Sequence, residues 1–295
     1  MKAGKHVFVE KAAAVDPVGC RRMIAAGELA KTKGLSIVTG TQRRHDPRYL
    51  ENLQAVHDGA IGKLLTGRVW WCGGDPRRVY ERRAGESDAE FMVRNWYQYA
   101  ELCGDHIVEQ HVHNLDVANW FIGRPPQLAL GFGMRARREL GNRYDFFSVD
   151  FEYGDDVTVH SMARQIPKCY NRNGEHFVGT KGTVWAGGKM SVAAKGKDKG
   201  KKVVNPLVQE HADLIRSIRN GQPLNEARGL AESTLTAIMG RISAYTGQVV
   251  RWADLTTNQE SPWYNLQLSP GPEDFERGRV KVPPAGVIPL PGAPA

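Results

Sequence analysis

The sequence is short of cysteine. Its four, Cys20, Cys72, Cys103 and Cys169, stand far apart in 295 residues and none belongs to a C-x-x-C pair. That spacing excludes a zinc ribbon and predicts reduced thiols rather than a disulfide framework. No apolar run approaches the ~18–20 residues that a bilayer-crossing helix needs. Met1-Lys2-Ala3-Gly4-Lys5-His6 leads into only a short apolar run, Val7–Val9, and then charge, which is not a secretory leader pattern. Taken as given, the chain is expected in the cytoplasm; an export signal upstream of this start would make it periplasmic. Nowhere does G-x-G-x-x-G occur, the glycine pattern whose backbone cradles dinucleotide phosphates. No internal repeat is evident.

What is present reads as a soluble globular protein, with 41% hydrophobic and 24% charged residues. Net charge is +8, a balance that suits nucleic acid or a phosphorylated ligand. The charge is partly local, however: a lysine-rich loop over 195–202, and Arg135, Arg137 and Arg138. No aromatic residues interleave with it in a nucleic-acid motif, so neither nucleic acid nor membrane is an expected partner.

Residues 6–10 read as a strand. Asp16 caps a helix that runs to Lys33 with Pro17 at its first position, and 35–39 form a second strand. Strand, helix and strand make a βαβ unit with parallel strands. Lys2-Ala3-Gly4-Lys5 resembles the last turn and glycine cap of a helix, so the domain is expected to begin upstream of Met1. The remnant strands would leave an open edge, which predicts poor expression or aggregation.

A helix is expected over 46–59, a strand over 62–71, a polar surface excursion over 73–95 and a helix within 104–123. Strands follow near 127–135, 146–152 and 157–163, and Gly182-Thr183-Val184-Trp185 opens a hairpin. Helices at 206–219 and 230–246, a strand at 249–252 and a proline-rich tail complete the chain. The predicted class is α/β plus α+β: a βαβ remnant (1–44), then a large, mostly antiparallel sheet with helices on one face (45–255), then the tail (256–295).

The densest polar cluster is Gly104–Asp116. Glu109 and His113 are four apart and share a face on a continuous helix. A carboxylate beside an imidazole is a general-base arrangement; capping and core-satisfying roles are the plainer alternative. His106, Glu109 and His113 could instead hold a metal ion, but H-x-x-E-x-x-x-H matches no zinc-protease signature, and no metal is expected. Lys11 closes the first strand at its carboxyl end, the ligand side of a parallel sheet. There it could stabilise developing negative charge on a hydroxyl oxygen.

Ala3-Gly-Lys-His-Val-Phe-Val-Glu-Lys11 resembles the A-G-K-H-V-x-x-E-K-P segment of the Gfo/Idh/MocA oxidoreductases. Gly104–Gly123 is similar to their G-G-x-x-x-D-x-x-x-H-x-x-D-x-x-x-W-x-x-G stretch. Ile61-Gly-Lys-Leu64, Gly179-Thr-Lys-Gly-Thr183, Asn225-Glu226, Ala231-Glu232 and Ala244-Tyr-Thr-Gly247 follow in family order. The resemblance implies the C-terminal remnant of a Rossmann domain binding NAD or NADP, ahead of a substrate domain. It implies hydride transfer between the nicotinamide and a hydroxyl-bearing carbon of a sugar, inositol or related polyol. In that scheme His113 takes the hydroxyl proton, Glu109 orients it and Lys11 polarises the oxygen. Glu10, Lys11, Gln42 and Arg43 would line the cofactor end, with Arg44 beside them, and Trp96 and Tyr97 would shape the pocket. Relatives often pair through the open face of the large sheet, which implies a homo-oligomer. Ala12 replaces the family's proline, Glu109 its aspartate, and the glycine loop is missing. The alternative is a non-catalytic carbohydrate-binding or oligomerising protein without a working cofactor half.

Overall fold

The structure, a computed structural model, describes residues 1–75, 79–192, 204–284 and 286–292. The lysine-rich stretch 195–202 lies outside the described residues. Strands β1 (Val7–Val9) and β2 (Ile37–Thr39) pair in parallel, Val7 opposite Ile37. The crossover between them is α1 (Pro17–Thr32), where Asp16 accepts the Gly19 backbone N–H at 2.8 Å and Pro17 opens the first turn. A 3-10 turn, Gln42–His45, leads into α2 (Pro47–His57), which Asp46 caps by accepting the Arg48 N–H at 2.9 Å.

The second layer is an eight-stranded sheet. Its strands are β3 (Leu64–Gly73), β4 (Leu128–Met134), β5 (Phe146–Glu152), β6 (Thr158–Gln165), β7 (Arg172–Gly179), β8 (Gly182–Trp185), β9 (Met190–Val192) and β10 (Val250–Arg251). They lie in the order β10-β4-β5-β6-β3-β7-β8-β9. Neighbours run antiparallel except β3 and β6, which are parallel with Val69 opposite Ser161. The helices between and after them are α3 (Asp88–Arg94), α4 (Ala100–Cys103), α5 (His106–Glu109), α6 (Val112–Ile122), α7 (Pro206–Arg219), α8 (Ala227–Thr246), α9 (Trp252–Thr256) and α10 (Pro272–Glu276). The α/β-plus-α+β architecture expected from the sequence is the one observed.

Period-two alternation decides which face is buried. Phe147, Val149 and Phe151 of β5 and Val159 and Ala163 of β6 point inward, under α5, α6 and α8. Helix α8 is packed between α1, α6 and β4, which is why it is apolar or small nearly all round. At Gly240 a Cβ would stand 2.8 Å from the Phe151 ring, so glycine lets this helix approach the sheet. On the other face of β4, Leu130, Phe132 and Met134 are 52%, 65% and 44% exposed.

Three features were not expected. Residues 172–179 form strand β7, whose buried positions are Glu175 and Phe177; the carboxylate hides the usual apolar alternation. The excursion after β3 contains a helix, α3, closed by a capping box between Ser87 and Glu90. And 104–123 is not one helix: α5 ends at Glu109 and α6 begins at Val112. The tail does wrap the surface, with Val280 buried and Pro289 O accepting the Tyr144 hydroxyl at 2.7 Å. Among the described residues no helix is long and apolar enough to cross a membrane.

Candidate active site

The site forms where the carboxyl end of β1 meets the break between α5 and α6. Gly104, at φ 76°, ends α4, and a Cβ there would strike the Val108 side chain at 2.7 Å. Asp105 follows at φ 68°, a conformation costly for a non-glycine residue and stable only where its surroundings hold it. They do: its fully buried carboxylate accepts from the His106 N–H at 2.5 Å, the Tyr144 N–H at 2.8 Å and the Tyr245 hydroxyl at 2.6 Å. That clamp aims α5 so that Glu109 faces Lys11.

Lys11 Nζ donates to Glu109 Oε1 at 2.6 Å and also to the Glu109 backbone carbonyl. Lysine and carboxylate side chains are 13% and 9% exposed, a desolvated ion pair at the edge of the interior. Among the described residues Glu109 Oε2 is buried without a hydrogen-bond partner.

His113, on the first turn of α6, is 7% exposed and stacks on the Trp71 indole of β3, with ring centroids 5.8 Å apart and planes at 25°. Burial, then the charges of Arg43 and Lys11, hold its imidazole well below the ordinary range, so the ring is a neutral proton acceptor. The Lys11 ammonium, paired with Glu109, is thus near enough for its charge to bear on the His113 ring. Glu109 does not orient His113 as the helical spacing predicted. The chain turns at Gln110 and His111, where His111 Nε2 lies 2.7 Å from Ser161 Oγ, and the four-residue spacing no longer places the two side chains on one face.

Arg43 turns toward the large sheet. Its Nη1 ion-pairs with Glu175, its Nη2 donates to Asn173 Oδ1 at 3.1 Å, and its guanidinium lies 5.8 Å from the Trp71 ring. Gln42 Oε1 is buried and unpartnered. Arg44 is tied to Asp116 by Nε and Nη2, at 2.9 and 2.8 Å, which makes it a structural clasp between the 3-10 turn and α6. Glu10 is exposed, its Oε2 accepting the Lys11 N–H at 3.3 Å. Tyr97 is 1% exposed and takes a hydrogen bond from Gln165 at 2.6 Å. Trp96 packs edge-on against Tyr97 and is 37% exposed.

The rival metal cluster does not assemble. His106 packs edge-on against Phe147, Glu109 goes to Lys11 and His113 to Trp71, and among the described residues no group of three His, Cys, Asp or Glu could hold an ion. Sequence reasoning missed Asp105, Trp71, Asn114, Asn173 and Glu175. Gly104-Asp105 carried a signal, since a glycine–aspartate pair ahead of an apolar run marks strained backbone; the β7 residues carried none.

The family model of the GFO/IDH/MocA C-terminal domain matches residues 49–185, which span β3 to β8 and carry Glu109 and His113. Residues 49–185 belong to the GFO/IDH/MocA family. The inositol 2-dehydrogenase/D-chiro-inositol 3-dehydrogenase of Halalkalibacterium halodurans is 32% identical over 122 residues, 41% of this chain and 28% of that protein. The myo-inositol 2-dehydrogenase of Thermotoga maritima is 22% identical over 239 residues, 75% and 65% of the two chains. The chain thus spans less than two thirds of either GFO/IDH/MocA relative. In fold it is similar to the WlbA dehydrogenase of Bordetella pertussis, solved with NADH and UDP-GlcNAcA, at TM-score 0.66 and 17% identity, covering 85% of this chain and 72% of that one.

Proposed function

We propose that this site serves an NAD(P)-dependent oxidoreductase acting on a hydroxyl-bearing carbon of a sugar, inositol or related polyol. The observation that carries the reading is a lysine ion-paired with Glu109 whose charge bears on a buried, neutral histidine, with Glu109 Oε2 lacking a donor among the described residues. A substrate hydroxyl fits that set. His113 takes its proton, Lys11 steadies the negative charge that grows on its oxygen, and Glu109 fixes the ammonium and accepts from a neighbouring hydroxyl. The inositol dehydrogenase relatives support the substrate class.

The cofactor the family implies, when bound, supplies the hydride acceptor. The described residues fit it only in part. Lys11 stands at the carboxyl end of a parallel strand, where a nicotinamide would lie. Among the described residues, however, no glycine-rich turn between strand and helix offers backbone N–H groups to its phosphates. The open apolar face of β4 is the proposed meeting surface of two copies.

The test is absorbance at 340 nm with myo-inositol and other neutral polyols, NAD or NADP held at millimolar concentration. Wild type should turn over, and His113→Gln should lose about 10²–10⁴-fold in kcat. Equal turnover in the variant contradicts the assignment. Polyol binding with no turnover favours the non-catalytic alternative.

A further inference from the structure

We infer that Glu175 is a positioning residue of the site, its buried carboxylate locking Arg43 and the Asn114 amide beside His113. The inference rests on the reading of His113 as the proton acceptor. Glu175 lies mid-way along β7, opposite Val69, and points inward at 1% side-chain exposure. Its oxygens gather donors from three elements distant in sequence. Oε1 receives Arg43 Nη1 from the 3-10 turn and Asn114 Nδ2 from α6 at 2.6 Å; Oε2 receives the Tyr49 hydroxyl from α2 at 3.1 Å. A carboxylate so enclosed has little capacity left for a substrate, and its burial keeps one away. It acts through what it holds.

Asn114 is the residue after His113. Arg43 reaches it through Trp71, the ring on which His113 stacks. The Arg43 side chain is 14% exposed and, among the described residues and Glu175 apart, has one longer hydrogen bond, to Asn173 at 3.1 Å. Without the carboxylate the guanidinium would leave its low-dielectric seat for solvent, because an unpaired buried cation is costly. Glutamine could keep the hydrogen bonds, its Oε1 accepting from Arg43 and Asn114 and its Nε2 donating to the Tyr49 oxygen, but it carries no charge to balance the Arg43 cation. Glu175 therefore places the Arg43 charge, which together with burial keeps His113 neutral.

The experiment follows the His113 ring by NMR through a pH titration in wild type, Arg43→Gln, Glu175→Gln and the double variant, with Glu175→Asp as the charge-retaining variant. Both single variants should raise the His113 midpoint by about one unit. The double variant should match Arg43→Gln, and Glu175→Asp should return the midpoint toward wild type even if it melts lower. In the polyol assay Glu175→Gln should lower kcat tenfold or more with a smaller change in KM. A Glu175→Gln midpoint that stays put or falls, or single effects that add in the double variant, overturns the inference. Failure of the dehydrogenase reading would show separately, as no polyol oxidation by wild type with the titration pattern intact.

Discussion

Lys11 Nζ and Glu109 Oε1 lie 2.6 Å apart across 98 residues of sequence, joining the parallel β1–β2 layer to the helices of the large sheet. Either partner alone would be a mostly desolvated, unpaired charge. Lys11→Met should therefore cost about 2–4 kcal/mol in urea unfolding, and Lys11→Met with Glu109→Leu should recover part of it, because replacing both members removes the unpaired carboxylate. Additive losses would show that the pair does not couple.

Two sets of buried histidines should tilt stability in opposite directions about pH 6.5. His106, His111 and His113 are buried and held neutral, with His111 pushed down to about 3. The native state then binds fewer protons than the unfolded chain, so stability falls as pH drops below the unfolded value of 6.5. His45 behaves oppositely. Burial works against its charge, yet Glu226 and Asp213 on its two nitrogens raise it above 6.5, so its contribution is lost as pH rises through the folded value. Glu210, pushed up to about 7 by burial and then by Glu10, opposes the fall on the acid side between 4.5 and 7, and Glu101, Asp105, Glu175 and Glu232, each raised first by burial, oppose it from the lower end of the range. His45→Gln should flatten the limb above pH 6.5 and leave the acid limb in place, as read by melting temperature across pH. An unchanged alkaline limb would remove His45 from that role.

Gly67 of β3 seats the Phe177 ring, the inward neighbour of Glu175 on β7. A Cβ there would stand 2.8 Å from that ring and 3.3 Å from Val159. Gly67→Ala should cost about 1–3 kcal/mol by overpacking. A neutral result in denaturant unfolding would mean the sheet yields there.

Pairing through the open face of the sheet should depend on Phe132, the most exposed of the β4 stripe. Phe132→Lys should shift the mass in light scattering from dimer toward monomer. A monomeric wild type, or an unaffected dimer, would place any pairing elsewhere.

Much of this fold was legible in the residues. Asp16-Pro17 and Asp46-Pro47 announced two helix starts because cap and N1 proline act locally, and β4 to β6 showed in their period-two pattern. Strand β7 did not, because beside Phe177 its other buried position is a carboxylate, Glu175, satisfied only by side chains far away in sequence. The same holds for Glu109: the residues show that a carboxylate and an imidazole are four apart, but not that a turn at Gln110–His111 breaks the helix between them. Lys11 and His113 were legible as chemistry; their shared surroundings, Trp71, Arg43 and Asp105, arise from tertiary packing.

The most direct test of the site is the His113 titration with and without the Lys11 charge. If the two residues share one cavity, His113 stays neutral well below pH 6.5 in wild type, and Lys11→Met raises its midpoint. A wild-type midpoint near 6.5, unmoved by Lys11→Met, would contradict the account.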